Sequence, residues 1–369
     1  MGAEATDRVD VIVAGGGPAG AAMAIKLRAA DLKVEVVEAS SYDSFRVGET
    51  VPPAILPSLQ KLGAWESFAR DAHLPSRGNC SVWGNPYVVF HDAVFSQHGG
   101  GWHLDRARFD RTLAVEAERR GARWLTSTRL TGIERKQDGR WLVNTNGAGG
   151  RRQVLASFVV DATGRRATVA SRCGARRVRR VHSDRLVGAF AVLQLRERSG
   201  AGFHTLVEAA EHGWWYAARL PGNRAVVSWM SDSDLVRQFR AHQPERWRKL
   251  LAESLHVRES VPIDEPPATI GLRSAASHCL DHVGGEGWLA IGDAASCYDP
   301  LSSAGIVSAL RSGIEGADTV TRCLGGDRSA LADYDEQVHQ RFTDYLGEWR
   351  AYYALETRWR NSEFWRRRH

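Results

Sequence analysis

Long apolar runs are missing from this 369-residue chain. No uncharged stretch approaches the about 20 residues needed to cross a bilayer, and no secretory signal pattern opens it, so a membrane role is not expected. Cysteine is sparse too. Cys80, Cys173, Cys279, Cys297 and Cys323 are odd in number and far apart, and no Cys-x-x-Cys occurs. That excludes a disulfide framework and a cysteine zinc site, and predicts a cytoplasmic protein without a metal. Lysine supplies only five of the 49 basic residues, with none between Lys61 and Lys136. A GC-rich genome accounts for the bias, but the gap also removes amine chemistry from that interval. Internal repeats and low-complexity linkers are absent as well. The net charge of +6 is spread along the chain, which favours solubility and gives little reason to expect nucleic acid as a partner.

What is present begins with an apolar strand pattern, Asp10 to Ala14, then Gly15-Gly16-Gly17-Pro18-Ala19-Gly20. A helical pattern from Pro18 to Ala30 carries Ala, Met, Ile and Leu on one face, and Lys33 to Val37 reads as a second strand ending in Glu38-Ala39. A G-x-G-x-x-G alone is weak. Between a strand and a helix, with an acid after the next strand, it predicts a dinucleotide site. Gly15 makes the tight turn, Gly17 lets the backbone approach a pyrophosphate, and Gly20 lets the helix pack on the sheet. Pro18 and Ala19 open the helix whose N-terminus stabilises the diphosphate, while Glu38, with Ala39 beside it, accepts from ribose hydroxyls.

A second turn of this kind comes late. The strand Gly287 to Ile291 ends in Gly292-Asp293-Ala294-Ala295, and Asp299 to Ile306 leads into a helix near Ser303. Asp293 suits the ribityl or pyrophosphate end of FAD. The amides around Ser302 to Gly305 suit negative charge on a reduced flavin, which makes Pro300, Ser303, Ala304, Gly305 and Ile306 candidate cofactor residues beside Gly292. Between the two turns, Leu186 to Ser231 is a series of β-rich runs broken at Ser199-Gly200, His212-Gly213 and Pro221-Gly222-Asn223. Leu235 to Ser254 reads as helical. The predicted fold is therefore α/β. A Rossmann-like FAD-binding domain spans 1–70, 104–180 and 270–325. An antiparallel β-sheet substrate domain spans 71–103 and 181–269, and C-terminal helices fill 326–369.

These motifs resemble the flavin monooxygenase superfamily with the p-hydroxybenzoate hydroxylase fold, and most of all its tryptophan-halogenase-like branch. Arg46-Val47-Gly48-Glu49-Thr50 resembles that branch's Gly-Glu segment beside the flavin. Trp102-His103-Leu104-Asp105-Arg106 resembles its flavin-contacting helix start, and Asp161-Ala162-Thr163-Gly164-Arg165 a second FAD-domain strand end. The resemblance implies that Arg46, Arg106 and Asp161 join the FAD site. Gly213-Trp214-Trp215-Tyr216, the Asp299 to Ile306 string and the tail around Phe364-Trp365 resemble flavoproteins that oxygenate protein-bound tryptophan during quinone cofactor formation.

Two departures shape the functional expectation. Halogenases of this fold carry a lysine between the Gly-Glu segment and the Arg106 helix to relay hypohalous acid, and none stands there. Their Trp-x-Trp-x-Ile-Pro signature is replaced by Trp214 to Pro221. The expectation is an FAD-dependent monooxygenase that uses molecular oxygen to hydroxylate an indole or other aromatic ring through a flavin C4a-hydroperoxide. The substrate is read as tryptophan within a peptide or protein. Asp161 to Arg165 lacks the Asp-Gly pair that touches both FAD and NADPH in single-component hydroxylases, so reduction comes from NAD(P)H directly or through a separate flavin reductase. Glu49 is the first candidate for catalysis, followed by His91, His103, Asp92 and His204. Trp83, Trp214, Trp215, Tyr216 and Trp229 are candidates to stack the ring, although aromatic strand residues are more often core. The basic aromatic tail from Arg358 to His369 reads as a solvated face on a docked helix, with docking on an acidic partner as the alternative. Rival readings are a halogenase, a flavin dehydrogenase or reductase, and a non-catalytic flavoprotein escort.

Overall fold

The computed structural model describes residues 7–92, 99–178, 184–195, 204–261 and 266–369. Its first sheet grows around Asp7–Ala14, whose last four residues are buried. Trp288–Ala290, Gly150–Asp161, Asp7–Ala14, Val34–Val37 and Arg123–Leu125 lie side by side in that order, all parallel. Ala14 stands opposite both Val37 and Asp161, so three strand ends reach one level and the glycine turn starts there. Arg129–Arg135 and Trp141–Gly147 add an antiparallel flank to Gly150–Asp161. The helix Pro18–Ala29 crosses Gly305–Leu324 in close contact. A Cβ on Gly313 would stand 2.3 Å from the Ala19 carbonyl oxygen, so the two helices that the sequence links to the cofactor are locked together.

The second sheet has seven strands in the order Gly271–Ser274, Leu186–Gln194, Arg224–Asp232, Gly213–Leu220, His204–Ala210, Gly78–Val82 and Val89–Asp92. It is antiparallel except where His204–Ala210 runs parallel to Gly78–Val82. Gly271–Ser274 pairs with Leu186–Gln194, which puts it in this sheet rather than in the FAD-domain segment assigned from residue 270. The turns expected at His212-Gly213 and Pro221-Gly222-Asn223 precede strands; Ser199-Gly200 lies outside the described residues. Leu235 to Ser254 is not one helix. Arg240 takes a left-handed conformation and Pro244 starts anew, giving Ser233–Gln238 and Pro244–Glu253. The second of these covers the outer face of the sheet, where Trp247 donates its indole N–H to the Ala189 carbonyl at 2.9 Å.

The tail corrects the sequence reading in part. After the helix Ala330–Ala354 the chain folds back, and Phe364 and Trp365 are completely buried. Trp365 donates to the Ala210 carbonyl at 2.9 Å, and Arg368, only 5% exposed, pairs with Asp232 at 2.8 Å while lying over the Phe364 ring. Arg367 binds Asp232 and Asp234. Arg367 and Arg368 thus meet acids of their own chain and are packed, while Arg360, Arg366 and His369 remain exposed, so the segment is docked on one side and solvated on the other. Among the described residues no helix is long and apolar enough to cross a membrane.

Candidate active site

A cavity of about 780 Å³ opens between the glycine turn and the inner face of the second sheet. That size falls in the range of cofactor and ligand sites. The sequence explains its polar end first. At Gly15 the backbone turns with φ +109°, and a Cβ there would stand 2.1 Å from the Ala162 carbonyl oxygen, so only glycine fits. Gly20 serves packing, since its Cβ would meet the Gly15 carbonyl oxygen at 1.9 Å. Gly17, the residue before the first helical turn, behaves differently. It lines the cavity and has nothing within 4 Å of a Cβ position, as does Gly305 at the start of the Gly305–Leu324 helix. Two helix N-termini thus face one cavity, each through a glycine that keeps space free where the fold does not need it. That space, with the unpaired amides of a helix start, fits a diphosphate and an electron-rich ring edge, the two anionic parts of reduced FAD.

Glu38 closes the adenosine side. Its carboxylate accepts from Gly16 N at 2.7 Å and Ser40 N at 2.9 Å and pairs with Arg46 at 3.0 Å. These contacts outweigh burial and hold its pKa below the usual carboxylate range. The charged form is the one that accepts from ribose. Ala39, Pro18 and Ala19 line the same end. Arg46 and Arg106 both line the cavity and share the fully buried Asp110, Arg46 at 2.7 Å and Arg106 at 3.2 Å. Arg106 also donates to the carbonyls of Val47 at 2.7 Å and Gly48 at 3.1 Å. It therefore shapes the loop that presents Glu49. Asp110 belongs to the motif at this helix start but was given no site role from sequence, although its spacing four after Arg106 was a usable signal.

At the far end Asp293, Pro300, Ser303, Gly305 and Ile306 line the cavity as expected. Burial raises the Asp293 pKa, opposed by Arg165 at 3.6 Å. Ala304 and Gly292 do not line it. Ala304 caps the helix, and Gly292 backs the loop by donating to Ser312 Oγ at 2.8 Å. Asp161 is a clear correction. Its buried carboxylate is consumed by Thr163 N, Thr163 Oγ1, Val169 N and Ala170 N at 2.7–2.9 Å. It organises the turn whose neighbours Ala162 to Arg166 line the cavity, and does not face a cofactor itself.

The inner face of the second sheet forms the apolar wall. Strand alternation decides which side chains reach it. From Gly213–Leu220 these are Trp214 and Tyr216; from Leu186–Gln194, Gly188 and Phe190; from Arg224–Asp232, Val226, Ser228 and Met230. Trp215 points the other way, edge-on to Trp247 with centroids 5.4 Å apart, and Trp229 shares that outer core. Trp83 is packed among Trp214, Tyr352, Tyr353 and Trp365. Neither Trp83 nor Trp215 lines the cavity, and both are structural. His91 lies on the exposed strand Val89–Asp92, 3.3 Å from Ser81 Oγ, and His204 pairs with Asp92 at 2.6 Å. All three stand apart from the cavity.

Glu49 faces it and is 2% exposed. Tyr216 donates its hydroxyl to Glu49 Oε1 at 2.5 Å and stands 2.8 Å from Thr50 Oγ1. Thr50 Oγ1 in turn lies 3.1 Å from His103 Nδ1 and from Thr205 Oγ1. His103 is completely buried and does not line the cavity itself, although its partner Thr50 does. Burial pushes the Glu49 carboxyl up, against the Tyr216 hydrogen bond and the Arg106 charge; it pushes the Tyr216 phenol far up, helped by the neighbouring carboxylate. The result is an enclosed hydrogen-bonded chain that ends on an acid able to hold or take a proton.

A model of the FAD binding domain family matches residues 8–346, and the chain belongs to that family. It is a flavoprotein oxidoreductase of the halogenase and monooxygenase type. LodB of Marinomonas mediterranea, which bears the description FAD-dependent oxidoreductase, is 32% identical over 366 residues, covering 98% of this chain and 96% of its own. The peptidyl tryptophan dihydroxylase QhpG superposes with a TM-score of 0.81 at 25% identity, over 98% of this chain and 78% of its own. The flavin-dependent halogenase CmlS superposes with a TM-score of 0.86 at 21% identity, over 99% and 68%, a likeness of fold.

Proposed function

We propose that this flavoenzyme is a monooxygenase that hydroxylates the indole ring of a tryptophan carried by a peptide or protein. The observation that carries the reading is the Glu49–Tyr216 pair, set in a cavity that no lysine lines. Gly17, Glu38, Asp293 and the Pro300–Gly305 turn would hold FAD, which when reduced would supply the electrons for dioxygen activation. The chain's own residues then have three tasks. Phe190, Val226, Met230 and Tyr216 orient a flat ring and keep water from it. Arg106 fixes the Glu49 loop from behind. Glu49, as a carboxylate made more basic by burial, accepts the proton that the ring gives up on hydroxylation, while the Tyr216 hydroxyl, itself 2.8 Å from Thr50, donates to it.

Transfer of hypohalous acid in the related halogenases needs a lysine amine, and this cavity has none to offer, which favours direct oxygen transfer. The peptide-bound substrate draws on the likeness to the peptidyl tryptophan dihydroxylase. A separate flavin reductase is the proposed partner for reduction, because Asp161 to Arg165 lacks the Asp-Gly pair. Incubating the protein with reduced FAD, dioxygen and a tryptophan-containing peptide tests the reading. Gain of oxygen on the tryptophan supports it, and oxygen-dependent flavin oxidation with unmodified peptide contradicts it.

A further inference from the structure

The C-terminal helix Ala330–Ala354 reaches one residue of the cofactor turn from three successive turns. Tyr345, Trp349 and Tyr353 are spaced four apart and share one face. The Asp299 N–H donates to the Tyr345 hydroxyl oxygen at 2.9 Å. The Trp349 indole N–H and the Tyr353 hydroxyl both donate to Asp299 Oδ2, at 3.0 and 2.9 Å. The other oxygen, Oδ1, accepts from Leu301 N at 2.9 Å and so caps the turn Pro300–Ser302 that leads to Gly305. The Tyr353 oxygen has a second duty: it accepts the Trp214 indole N–H at 3.0 Å. Asp299 is 1% exposed, yet it and Trp214 both line the cavity, one on the cofactor turn and one on the ring wall.

We infer that Tyr353 and Trp349 are positioning residues that hold Asp299, and with it the flavin-facing turn, and that Tyr353 couples this turn to the substrate wall through Trp214. The tail is thus part of the redox site although it does not enter the cavity. Three donors around one buried carboxylate are more than capping requires, and in Tyr353→Phe the donor is removed with the shape nearly intact, whereas Trp349→Phe removes the donor together with part of the ring. The electrostatic setting fits. Burial and Asp184 raise Asp299 to about 6, while Leu301, Trp349 and Tyr353 lower it. Its other titratable and charged neighbours include Tyr345 and Tyr298, with ring centroids 4.9 Å apart, Arg165, which donates to the Tyr298 carbonyl at 3.2 Å, and Arg368 behind Tyr353, which pairs with Asp232 and approaches Asp184 at 3.9 Å. A charge that appears there as pH rises opposes added negative charge on a reduced flavin.

This inference rests on FAD binding in the cavity and not on the hydroxylation reading, so the two fail independently. The test is the midpoint potential of bound FAD from pH 5 to 8, with FAD affinity by calorimetry, in wild type, Tyr353→Phe, Trp349→Phe and Asp299→Asn. The wild-type potential should show an inflection near pH 6. Asp299→Asn should abolish it, and both Phe variants should move it to higher pH, because each removes a donor that stabilises the carboxylate. Tyr353→Phe should weaken FAD binding by about five-fold, the usual worth of one hydrogen bond. Identical pH profiles in all four proteins would overturn the inference, even if the variants were less stable. So would an inflection that survives in Asp299→Asn.

Discussion

Tyr216 and Glu49 stand 167 residues apart in the chain and share a 2.5 Å hydrogen bond on the wall of the cavity. Neither group can be placed by local sequence rules. Glu49 comes from a loop fixed by Arg106, and Tyr216 from the middle of a strand whose neighbours alternate in and out of the site. The pair joins the loop beside the flavin to the sheet that holds the ring.

Glu49→Gln keeps the shape and the Tyr216 contact but loses the exchangeable proton. Its flavin absorption should match wild type, and oxygenation should slow by about 10²-fold, the usual scale for an acid–base group. Turnover within a factor of a few of wild type, measured by product mass spectrometry, would leave Glu49 a structural residue.

Gly17→Val separates cofactor binding from folding. Because nothing lies within 4 Å of its Cβ position, the apoprotein should keep its melting temperature while FAD affinity falls by about 100-fold or more. Gly15→Ala, by contrast, forces a Cβ against the Ala162 carbonyl and should impair folding itself. Unchanged FAD affinity of Gly17→Val by calorimetry would remove this turn from the binding site.

Asp299 gives a signed pH dependence of stability. Its pKa is raised to about 6 in the folded chain from 3.8, so the folded state holds the proton more tightly. That contribution is complete below the unfolded value and is lost as pH rises towards 6. Between pH 4 and 7, wild type should lose up to about 3 kcal/mol relative to Asp299→Asn, the scale of a two-unit shift. Urea unfolding at the two pH values checks this, and a constant difference would show that Asp299 titrates normally.

The route of reduction is open to a rapid-mixing experiment. Asp161 spends its carboxylate on Thr163, Val169 and Ala170, so nothing in that turn offers an acid to a nicotinamide partner. Reduction of the pure holoprotein by NADH or NADPH should be slow and should be bypassed when a flavin reductase supplies reduced FAD. Fast direct reduction with peptide present would contradict the two-component scheme.

Much of the cofactor end was legible because its signals are local. Gly15, Gly17 and Gly20 act within one turn, and Glu38 follows at the end of the next strand. The errors came where a partner arrives from elsewhere. Asp161 resembles a ligand until the amides of Val169 and Ala170 fold onto it. Trp215 and Tyr216 look equivalent in sequence, yet a period of two sends them to opposite faces. That alternation could have paired Trp214 with Tyr216, but only the docked sheet tells which face is inside. Arg367 and Arg368 read as a solvated basic run because Asp232 lies more than a hundred residues away. Tyr345, Trp349 and Tyr353 recur every four residues, but nothing local pairs that stripe with Asp299.

The central claim is that this site transfers oxygen, not halogen, to a tryptophan in a peptide. It is tested most directly by mass spectrometry of a tryptophan-containing peptide after reaction with reduced FAD and ¹⁸O₂ in the presence of chloride and bromide, beside free tryptophan. Labelled oxygen on the peptide's indole, no halogen, and much weaker reaction of the free amino acid are expected. A chlorinated or brominated product would contradict the claim.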